Sequence, residues 1–308
     1  MKKFLNINMP VAHILTDPSN DWKKVLSNAR GRNRYAFREI QVNWKKYNPF
    51  DYLFSHVSIV TSVKTDETGY RIEDPCDELV NANGNAWTNF VLSNCFRTFI
   101  GGYNFLEHQQ VPETSKGIIL DAVLRPVTHI GRNGKKADVY TCDLLIATNR
   151  SHESLIERIE SGELKTLSMG GCANIVQCSI CGKQFKEGES VCYHLNNCLK
   201  QYVTCEDGKK RIVAELCGGV DKNGEYIPES FVFIEASWVK NPAFGGAVVN
   251  YFVDSEQHMK MEEEKNNLST IWSENNILSM RCADRYNGIA IRLANKTYNE
   301  IMRKNAEL

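Results

Sequence analysis

The chain carries at residues 117–148 the sequence G-I-I-L-D-A-V-L-R-P-V-T-H-I-G-R-N-G-K-K-A-D-V-Y-T-C-D-L-L-I-A-T, in which two β-branched and aliphatic runs flank the turn G-R-N-G-K. Runs of this kind on either side of a Gly/Asn turn are typical of paired β-strands. The pattern therefore predicts strands over residues 117–130 and 139–148. Alternation or apolar composition predicts further strands at residues 53–63, 164–169, 211–216 and 230–239.

Helical segments are few by comparison. Leu155, Ile156 and Ile159 form an apolar stripe that predicts a helix over residues 151–162. Many strands with irregular interruptions predict a mainly β fold with surrounding helices, an α+β arrangement built on a closed or half-closed barrel.

Changes in composition along the chain predict three regions. Residues 1–49 are polar and basic, which predicts an N-terminal arm. Residues 50–250 contain the predicted strands and form the main domain, with a cysteine-rich insertion at about 176–206. Residues 251–308 predict a solvated linker followed by an amphipathic C-terminal helix.

Composition also limits the class of function. The 308 residues include 37 Lys and Arg and 37 Asp and Glu, so the formal net charge is zero. Balanced charge argues against an extended nucleic-acid-binding surface, and nucleic acid is not expected as a partner. No apolar run is as long as a membrane span, and the first residues lack the apolar core of a secretory signal. The sequence thus predicts a soluble, intracellular protein with no membrane partner.

Cysteine is unusually abundant, with eleven residues. Five of them fall between positions 178 and 205. In a reducing compartment, a local cluster that begins with Cys-x-x-Cys indicates a metal site and not disulfides. The scattered cysteines are predicted to be buried as small apolar side chains: Cys76, Cys95, Cys142, Cys172, Cys217 and Cys282.

The cysteine cluster has the spacing of a structural zinc site. Cys178 and Cys181 form a Cys-x-x-Cys pair that supplies two ligands from one tight turn. The second pair stays open, because both Cys192 with His194 and His194 with Cys198 have workable spacing.

Ser168 is the candidate nucleophile. It ends a predicted strand and precedes Gly170 and Gly171, whose backbone amides can face a substrate without a Cβ in the way. A serine hydroxyl needs a base and donors for the oxyanion before it can attack a carbonyl group. The pattern is not G-x-S-x-G, so an α/β-hydrolase fold is not indicated.

Several residues are candidates for the base and its orienting acid. His108 follows an apolar stretch and precedes a strand, which suits a side chain at the mouth of a sheet, and His56 is nearly as good a candidate. Glu235, Asp143 and Asp121 each lie inside an apolar strand, where an unpaired carboxylate is costly to bury. The residue types alone leave both choices open.

Several segments occur in an order that resembles a known family. They are N-F-L-E-H-Q-Q-V-P-E-T-S-K-G-I-I-L-D-A-V, E-L-K-T-L-S-M-G-G, the cysteine cluster, A-E-L-C-G and F-I-E-A-S-W-V-K-N-P-A-F-G-G-A-V. Together they resemble the prohead (head maturation) serine proteases of tailed bacteriophages, in the variety with a zinc knuckle inserted after the active serine. The resemblance covers about residues 50–250. The chain departs from the family pattern at Gly171, where the resemblance leads one to expect a cysteine.

The resemblance implies a fold and a catalytic set. The fold would be the herpesvirus-assemblin-like β-barrel protease core, ringed by helices. His108 matches the motif histidine and Ser168 the nucleophile. Glu235 matches the acid of the E-x-S-x-V-x-x-P-A motif and would be the third catalytic residue. Asp143 is the alternative candidate for this role.

The resemblance also implies the metal ligands. They would be Cys178, Cys181, Cys192 and His194, with Cys198 as the alternative to Cys192. The zinc ion would be structural, holding the segment after the nucleophile without taking part in the chemistry.

The activity implied is that of a serine endopeptidase, a hydrolase, that acts during capsid maturation and virion assembly. Its substrates would be the scaffold and major capsid proteins inside the viral prohead, in the host cytoplasm, and the family implies self-cleavage as well. The alternative function is a non-enzymatic zinc-knuckle protein that serves as a scaffold or nucleic-acid adaptor. A third interpretation is a thiol hydrolase that uses Cys172.

Overall fold

The computed structural model describes residues 12–14, 22 and 47–242, and this part of the chain is mainly β. Most of the predicted N-terminal arm lies outside these residues. The linker and helix predicted over residues 251–308 lie entirely outside them. Within the described residues, no helix is long and apolar enough to cross a membrane.

The elements are short apart from the central strands. The strands are β1 (Ala12–Ile14), β2 (Tyr52–Thr61), β3 (Asn85–Ala86), β4 (Tyr103–Leu106), β5 (Gly117–Ile130), β6 (Lys136–Asn149), β7 (Thr166–Ala173), β8 (Ile175–Cys178), β9 (Gln184–Lys186), β10 (Tyr202–Thr204), β11 (Lys210–Ile212), β12 (Glu215–Cys217) and β13 (Phe231–Val239). The helices are α1 (Asn89–Cys95), α2 (Glu153–Glu160) and α3 (Tyr193–Asn197), with 3-10 turns at Cys76–Leu79, Phe96–Phe99 and Pro112–Thr114.

The main sheet has seven strands in the order β1-β2-β6-β5-β4-β13-β7. Its pairs are antiparallel except β4 with β13, which run parallel. Among the described residues β1 and β7 are edge strands, so the sheet does not close into a barrel. It is nevertheless curled, because Cα atoms of β2 and β7 approach within 8 Å. Bulges in β2, β5 and β13 add to the curvature.

The predicted hairpin is the longest pairing of this sheet. β5 has the predicted bounds, and β6 begins earlier than predicted, at Lys136. The two strands pair from Gly117 with Thr148 to Ile130 with Lys136. The predicted helix is confirmed as α2, whose Leu155, Ile156 and Ile159 are buried.

The strand predicted over residues 211–216 is wrong, because this segment is divided between β11 and β12. The change of partner falls at Val213, whose N–H donates to the carbonyl of Gln201 at 2.9 Å. The next carbonyl, that of Ala214, accepts from the N–H of Ser179 at 3.1 Å. An apolar composition gives no sign of such a switch between two sheets.

A buried polar network joins β13 to β4 and β6. Trp238 Nε1 lies 3.1 Å from both Asn104 Oδ1 and Thr148 Oγ1. The side-chain amide of Asn104 donates to the carbonyl of Ala236 at 2.7 Å. All of these side chains are fully buried, so their hydrogen bonds fix how β4 lies against β13.

The cysteine-rich segment forms a separate small core beside the main sheet. It contains β8 and β9, the β10–β11 pair and α3, which pack around Phe185, Leu195 and Val213. The scattered cysteines of the described part of the chain are buried, as predicted: Cys76, Cys95, Cys142, Cys172 and Cys217. Cys282 lies outside the described residues.

Candidate active site and metal centre

His108 and Glu235 are hydrogen-bonded in the structure. His108 follows β4, Glu235 lies on the neighbouring strand β13, and His108 Nδ1 is 2.8 Å from Glu235 Oε1. The Glu235 side chain is 1% exposed and the His108 side chain 35% exposed. A buried carboxylate on one ring nitrogen leaves the other nitrogen available to a substrate or nucleophile.

The backbone turns sharply at the end of β4. Glu107 and His108 both have left-handed conformations, with φ of 49° and 54°. Side chains other than glycine rarely occupy this region, and such strain persists only where the surroundings hold it. The Glu107 N–H donates to the carbonyl of Trp238 at 2.8 Å, and the Gln110 N–H donates to that of His108 at 2.8 Å. The turn directs the imidazole back over β13.

Among residues 47–242, Glu235 has two hydrogen-bond donors besides His108. Ser237 Oγ donates to Glu235 Oε2 at 2.5 Å, and Gln110 Nε2 donates to Oε1 at 3.2 Å. A buried carboxylate needs such donors because it has lost its water. Neither Ser237 nor Gln110 belongs to the catalytic set predicted from the sequence. Both lie in the segments that resemble prohead proteases.

Ser168 lies on the edge strand β7, beside Glu235. In the antiparallel pairing of β7 with β13, Ser168 is opposite Ser237 and Gly170 is opposite Glu235. Residues opposite one another, and residues two apart, point to the same face of a sheet. Ser168 and the Glu235 carboxylate therefore share a face. Ser168 is 6% exposed, which places it just beneath the surface.

Gly170 leaves the space that the Glu235 carboxylate occupies. A Cβ at this position would lie 2.3 Å from Glu235 Oε1 and 2.7 Å from Gln110 Nε2. Real Cβ atoms do not approach other atoms so closely. Because β7 is an edge strand, alternate backbone amides near Gly170 point away from β13 and are suited to an oxyanion.

Within residues 47–242, no hydrogen bond joins Ser168 to His108. The spacing nevertheless suits a relay. Ser168 is two residues from Gly170, a distance of about 7 Å along a strand. Two hydrogen bonds of about 3 Å on either side of an imidazole ring span about 7–8 Å. Catalytic hydrogen bonds are often long in the absence of substrate and tighten when it binds.

The electrostatic surroundings of His108 favour its charged form. Burial lowers the pKa of His108, but the hydrogen bond and the charge of Glu235 outweigh burial and raise the pKa above 6.5. Glu107 adds a smaller contribution in the same direction. The ring can therefore hold a proton taken from a nucleophile.

Asp143, the alternative candidate for the third catalytic residue, lies in a different cluster. Its carboxylate accepts from Arg125 Nε at 2.8 Å and from Ser58 Oγ at 2.6 Å. His56 Nε2 is 3.7 Å from Asp143 Oδ2. Asp121 accepts a hydrogen bond of 2.9 Å from Trp22 Nε1. Apart from Trp22, these residues lie on β2, β5 and β6, and no hydrogen bond or ion pair within the described chain joins them to His108.

Cys172 is poorly suited to nucleophilic catalysis. It is 2% exposed, and burial together with the charge of Glu187 raises the pKa of its thiol to about 11. The reactive form of cysteine is the thiolate, which such surroundings disfavour.

Four predicted metal ligands converge in the cysteine-rich segment. The ligand atoms of Cys178, Cys181, Cys192 and His194 all lie within 4.8 Å of one another. Cys192 Sγ is 4.0 Å from His194 Nδ1. A tetrahedral zinc ion with Zn–S bonds of about 2.3 Å requires ligand separations of about 3.7 Å, so a small contraction suffices. The predicted alternative, Cys198, is outside this group and ends α3.

The candidate ligands Cys178 and Cys181 lie on a tight turn. The Gly182 N–H donates to the carbonyl of Cys178 at 3.0 Å, and the Ile180 N–H lies 3.4 Å from Cys178 Sγ. Gly182 has φ of 71°, and its α-carbon faces the ring of Tyr70, where a Cβ would come within 2.5 Å. Backbone N–H groups aimed at sulfur favour the thiolate that binds a metal.

The thiols of Cys178, which is buried, and Cys192, which is half-buried, differ in their acidity. Burial raises the pKa of Cys178 to about 12. For Cys192, burial acts in the same direction, but the Leu195 N–H and the thiols of Cys178 and Cys181 donate to it and lower its pKa. Since metal ligands must lose their protons, a metal ion bound here would release protons and would bind more weakly at acid pH.

Comparisons of the chain with protein-family models, curated protein sequences and solved structures found no match.

Proposed function

We propose that this chain is a serine endopeptidase that uses Ser168, His108 and Glu235. The observation that supports the proposal most strongly is the pairing of β7 with β13, in which Ser168 shares a face with Glu235, two residues from the position opposite it. Glu235 is in turn hydrogen-bonded to His108 at 2.8 Å. His108 and Glu235 are thus in contact, and Ser168 lies on the same face of the sheet as Glu235.

Each residue has a defined task in the proposed mechanism. His108 Nε2 takes the proton of Ser168 Oγ as the oxygen attacks the scissile carbonyl, and the protonated ring then donates to the leaving amine. Glu235 accepts from Nδ1, which fixes the tautomer and stabilises the imidazolium. Water, activated by the neutral imidazole, hydrolyses the acyl-enzyme and restores Ser168. Backbone amides near Gly170 stabilise the oxyanion, where the loss of one donor typically costs about 10²–10³ in rate.

The metal-ligand set fits a structural zinc ion. Cys178, Cys181, Cys192 and His194 would hold it, because three thiolates and one imidazole form a closed ligand set with no position for water. The ion would fix the segment that follows β7 without taking part in peptide hydrolysis. The first zinc-binding strand, β8, begins two residues after the end of β7.

The resemblance to prohead proteases gives the proposal its biological setting. The chain order of His108, Ser168 and Glu235 and the curled, mainly antiparallel sheet agree with an assemblin-like protease core. In that setting the substrates are the scaffold and major capsid proteins inside the prohead, in the host cytoplasm, and the enzyme also cleaves itself during head maturation. The described sheet is open, so it does not reproduce the closed barrel of that core.

The proposal is tested by co-expressing the protein with the scaffold and major capsid proteins of the tailed bacteriophage that would encode it, and by analysing the products by mass spectrometry. Wild type is expected to trim those proteins and itself, whereas Ser168→Ala should leave all of them intact while keeping its zinc. Cleavage by purified Ser168→Ala would refute the mechanism.

The same samples separate the alternative functions. A zinc-knuckle scaffold or nucleic-acid adaptor predicts no cleavage and a salt-sensitive complex with DNA or RNA. A thiol hydrolase predicts that Cys172→Ala, and not Ser168→Ala, removes cleavage.

A further inference from the structure

Ser237 is a fully buried serine on β13 and touches the proposed catalytic acid. Its hydroxyl donates to Glu235 Oε2 at 2.5 Å, while Oε1 accepts from His108 and from Gln110. Within the described residues, Ser237 is the one side chain that donates to Oε2. The two oxygens of Glu235 are therefore held by different partners.

The position of Ser237 follows from the strand geometry. Glu235 and Ser237 are two residues apart on β13, so both side chains point to the face that also carries Ser168. An apolar residue would be the usual choice at a fully buried strand position. A hydroxyl at this point instead satisfies a carboxylate oxygen that has no access to water.

We propose that Ser237 is a positioning residue, which holds the second oxygen of Glu235 and so keeps the carboxylate directed at the His108 imidazole. This inference rests on the proposed peptidase function for its catalytic consequence. Its structural content, the coupling of Ser237 to His108 through Glu235, stands apart from whether peptides are cleaved.

Loss of the hydroxyl has a predictable direction. Without Ser237 Oγ, Glu235 Oε2 is buried without a donor, and the carboxylate relieves this by rotating or by binding a proton. Either change weakens its hold on the imidazolium. Among the described residues, the charged groups that raise the pKa of His108 are Glu235 and, less strongly, Glu107, so a weaker hold by Glu235 should lower that pKa.

The inference is tested by NMR titration of the full chain labelled at histidine ¹³Cε1, with the His108 signal assigned by its absence in His108→Gln. In Ser237→Ala we expect the His108 midpoint to fall by about half a pH unit or more, toward its value in Glu235→Gln. Ser237→Thr keeps a hydroxyl on Cβ and should restore the wild-type midpoint. The matched control is Ser55→Ala, since Ser55 is equally buried on β2 and its hydroxyl has no partner in the described structure.

Kinetics with a cleaved peptide give the second readout. Ser237→Ala should lower kcat about tenfold with little change in KM, because a positioning residue acts on the transition state and not on substrate binding. A His108 midpoint in Ser237→Ala equal to that of wild type would overturn the inference. If the His108 midpoint shifts in Ser237→Ala but the wild-type protein cleaves no peptide, the peptidase proposal is refuted and the coupling of Ser237 to His108 stands.

Discussion

Gly170 and Glu235 lie opposite one another on β7 and β13, and a Cβ on Gly170 would come within 2.3 Å of Glu235 Oε1. The strand that carries the proposed nucleophile thus contains the gap into which the proposed catalytic acid fits. The same oxygen of Glu235 is bonded to His108. A side chain at position 170 would therefore disturb the acid and the base together.

The first prediction concerns this gap. Gly170→Ala should lower kcat/KM by about 10² or more, because a displacement of about 1 Å in a catalytic group has an effect of that size. The measurement is steady-state peptide cleavage together with thermal unfolding. Gly134→Asn is the control, because a Cβ in this β5–β6 turn meets no atom within 4 Å and asparagine tolerates the φ of 79° at this position. Full activity in Gly170→Ala would show that Glu235 has no catalytic part.

The second prediction concerns the pH profile of cleavage. The neutral His108 ring is the proposed base, and its pKa is raised above 6.5, so kcat/KM should rise with pH through a midpoint above 6.5. Glu235→Gln removes the charge that raises this pKa, so its midpoint should move to lower pH while the plateau rate falls. A midpoint that is the same in wild type and Glu235→Gln would contradict the assignment of the acid.

The same pKa shift has a consequence for stability. Because the pKa of His108 is higher in the folded than in the unfolded chain, the His108–Glu235 pair stabilises the fold most fully below the unfolded pKa of about 6.5. That contribution is lost as the pH rises through the folded pKa. His108→Gln should therefore lower the free energy of unfolding relative to wild type by more at pH 5.5 than at pH 8. Denaturant unfolding at the two pH values measures it, and a constant difference would count against the shift.

The third prediction concerns Asp143. Asp143→Asn should destabilise the protein by about 3–5 kcal/mol, because it leaves the mostly buried Arg125 guanidinium without its charge partner. Burial opposes ionisation, but His56 and Arg125 lower the pKa of Asp143 to about 2. Its stabilising contribution is thus present above the unfolded pKa of about 3.9 and is lost as the pH falls toward 2.

Asp143→Asn also decides between the two candidate acids. The variant should keep the kcat/KM of wild type per folded molecule, since its cluster lies apart from His108. Loss of activity without loss of stability would favour Asp143 as the third catalytic residue in place of Glu235.

The fourth prediction concerns the metal. Purified protein should contain about one zinc ion per chain, measured by elemental mass spectrometry. Cys192→Ser should lose most of that zinc, whereas Cys198→Ser should retain it, because only Cys192 lies in the converging group. Chelation should slow cleavage indirectly by loosening the segment after β7. Zinc retained by Cys192→Ser and lost by Cys198→Ser would reverse the ligand assignment.

Local patterns in the sequence were sufficient to predict much of the fold. The β5–β6 hairpin and helix α2 depend on periodicity and turn residues, which act over a few positions. The cluster of candidate metal ligands was predictable for the same reason, since Cys178 and Cys181 are close in the sequence. The choice between Cys192 and Cys198 depends on how α3 begins and ends, which spacing alone does not determine.

The relationships within the proposed active site were not predictable from patterns alone. Ser168 faces Ser237 only because a bulge between Phe233 and Glu235 shifts the register of β13, and a shift of one residue would turn Glu235 to the other face. The open, curled sheet likewise depends on pairings between distant strands. Gln110 gives no signal in the sequence, because its role as a donor arises from the left-handed turn at His108.

The most direct test of the proposed catalytic set is labelling with a fluorophosphonate, followed by peptide mass mapping. Such reagents form a covalent bond with a serine only when a base activates it and donors stabilise the developing charge. We expect one adduct per chain, on Ser168, formed at least about 10²-fold more slowly in His108→Gln and in Glu235→Gln. An unlabelled Ser168 in a folded, zinc-loaded protein, or labelling that is equally fast in His108→Gln, would contradict the proposal that these residues form a catalytic triad.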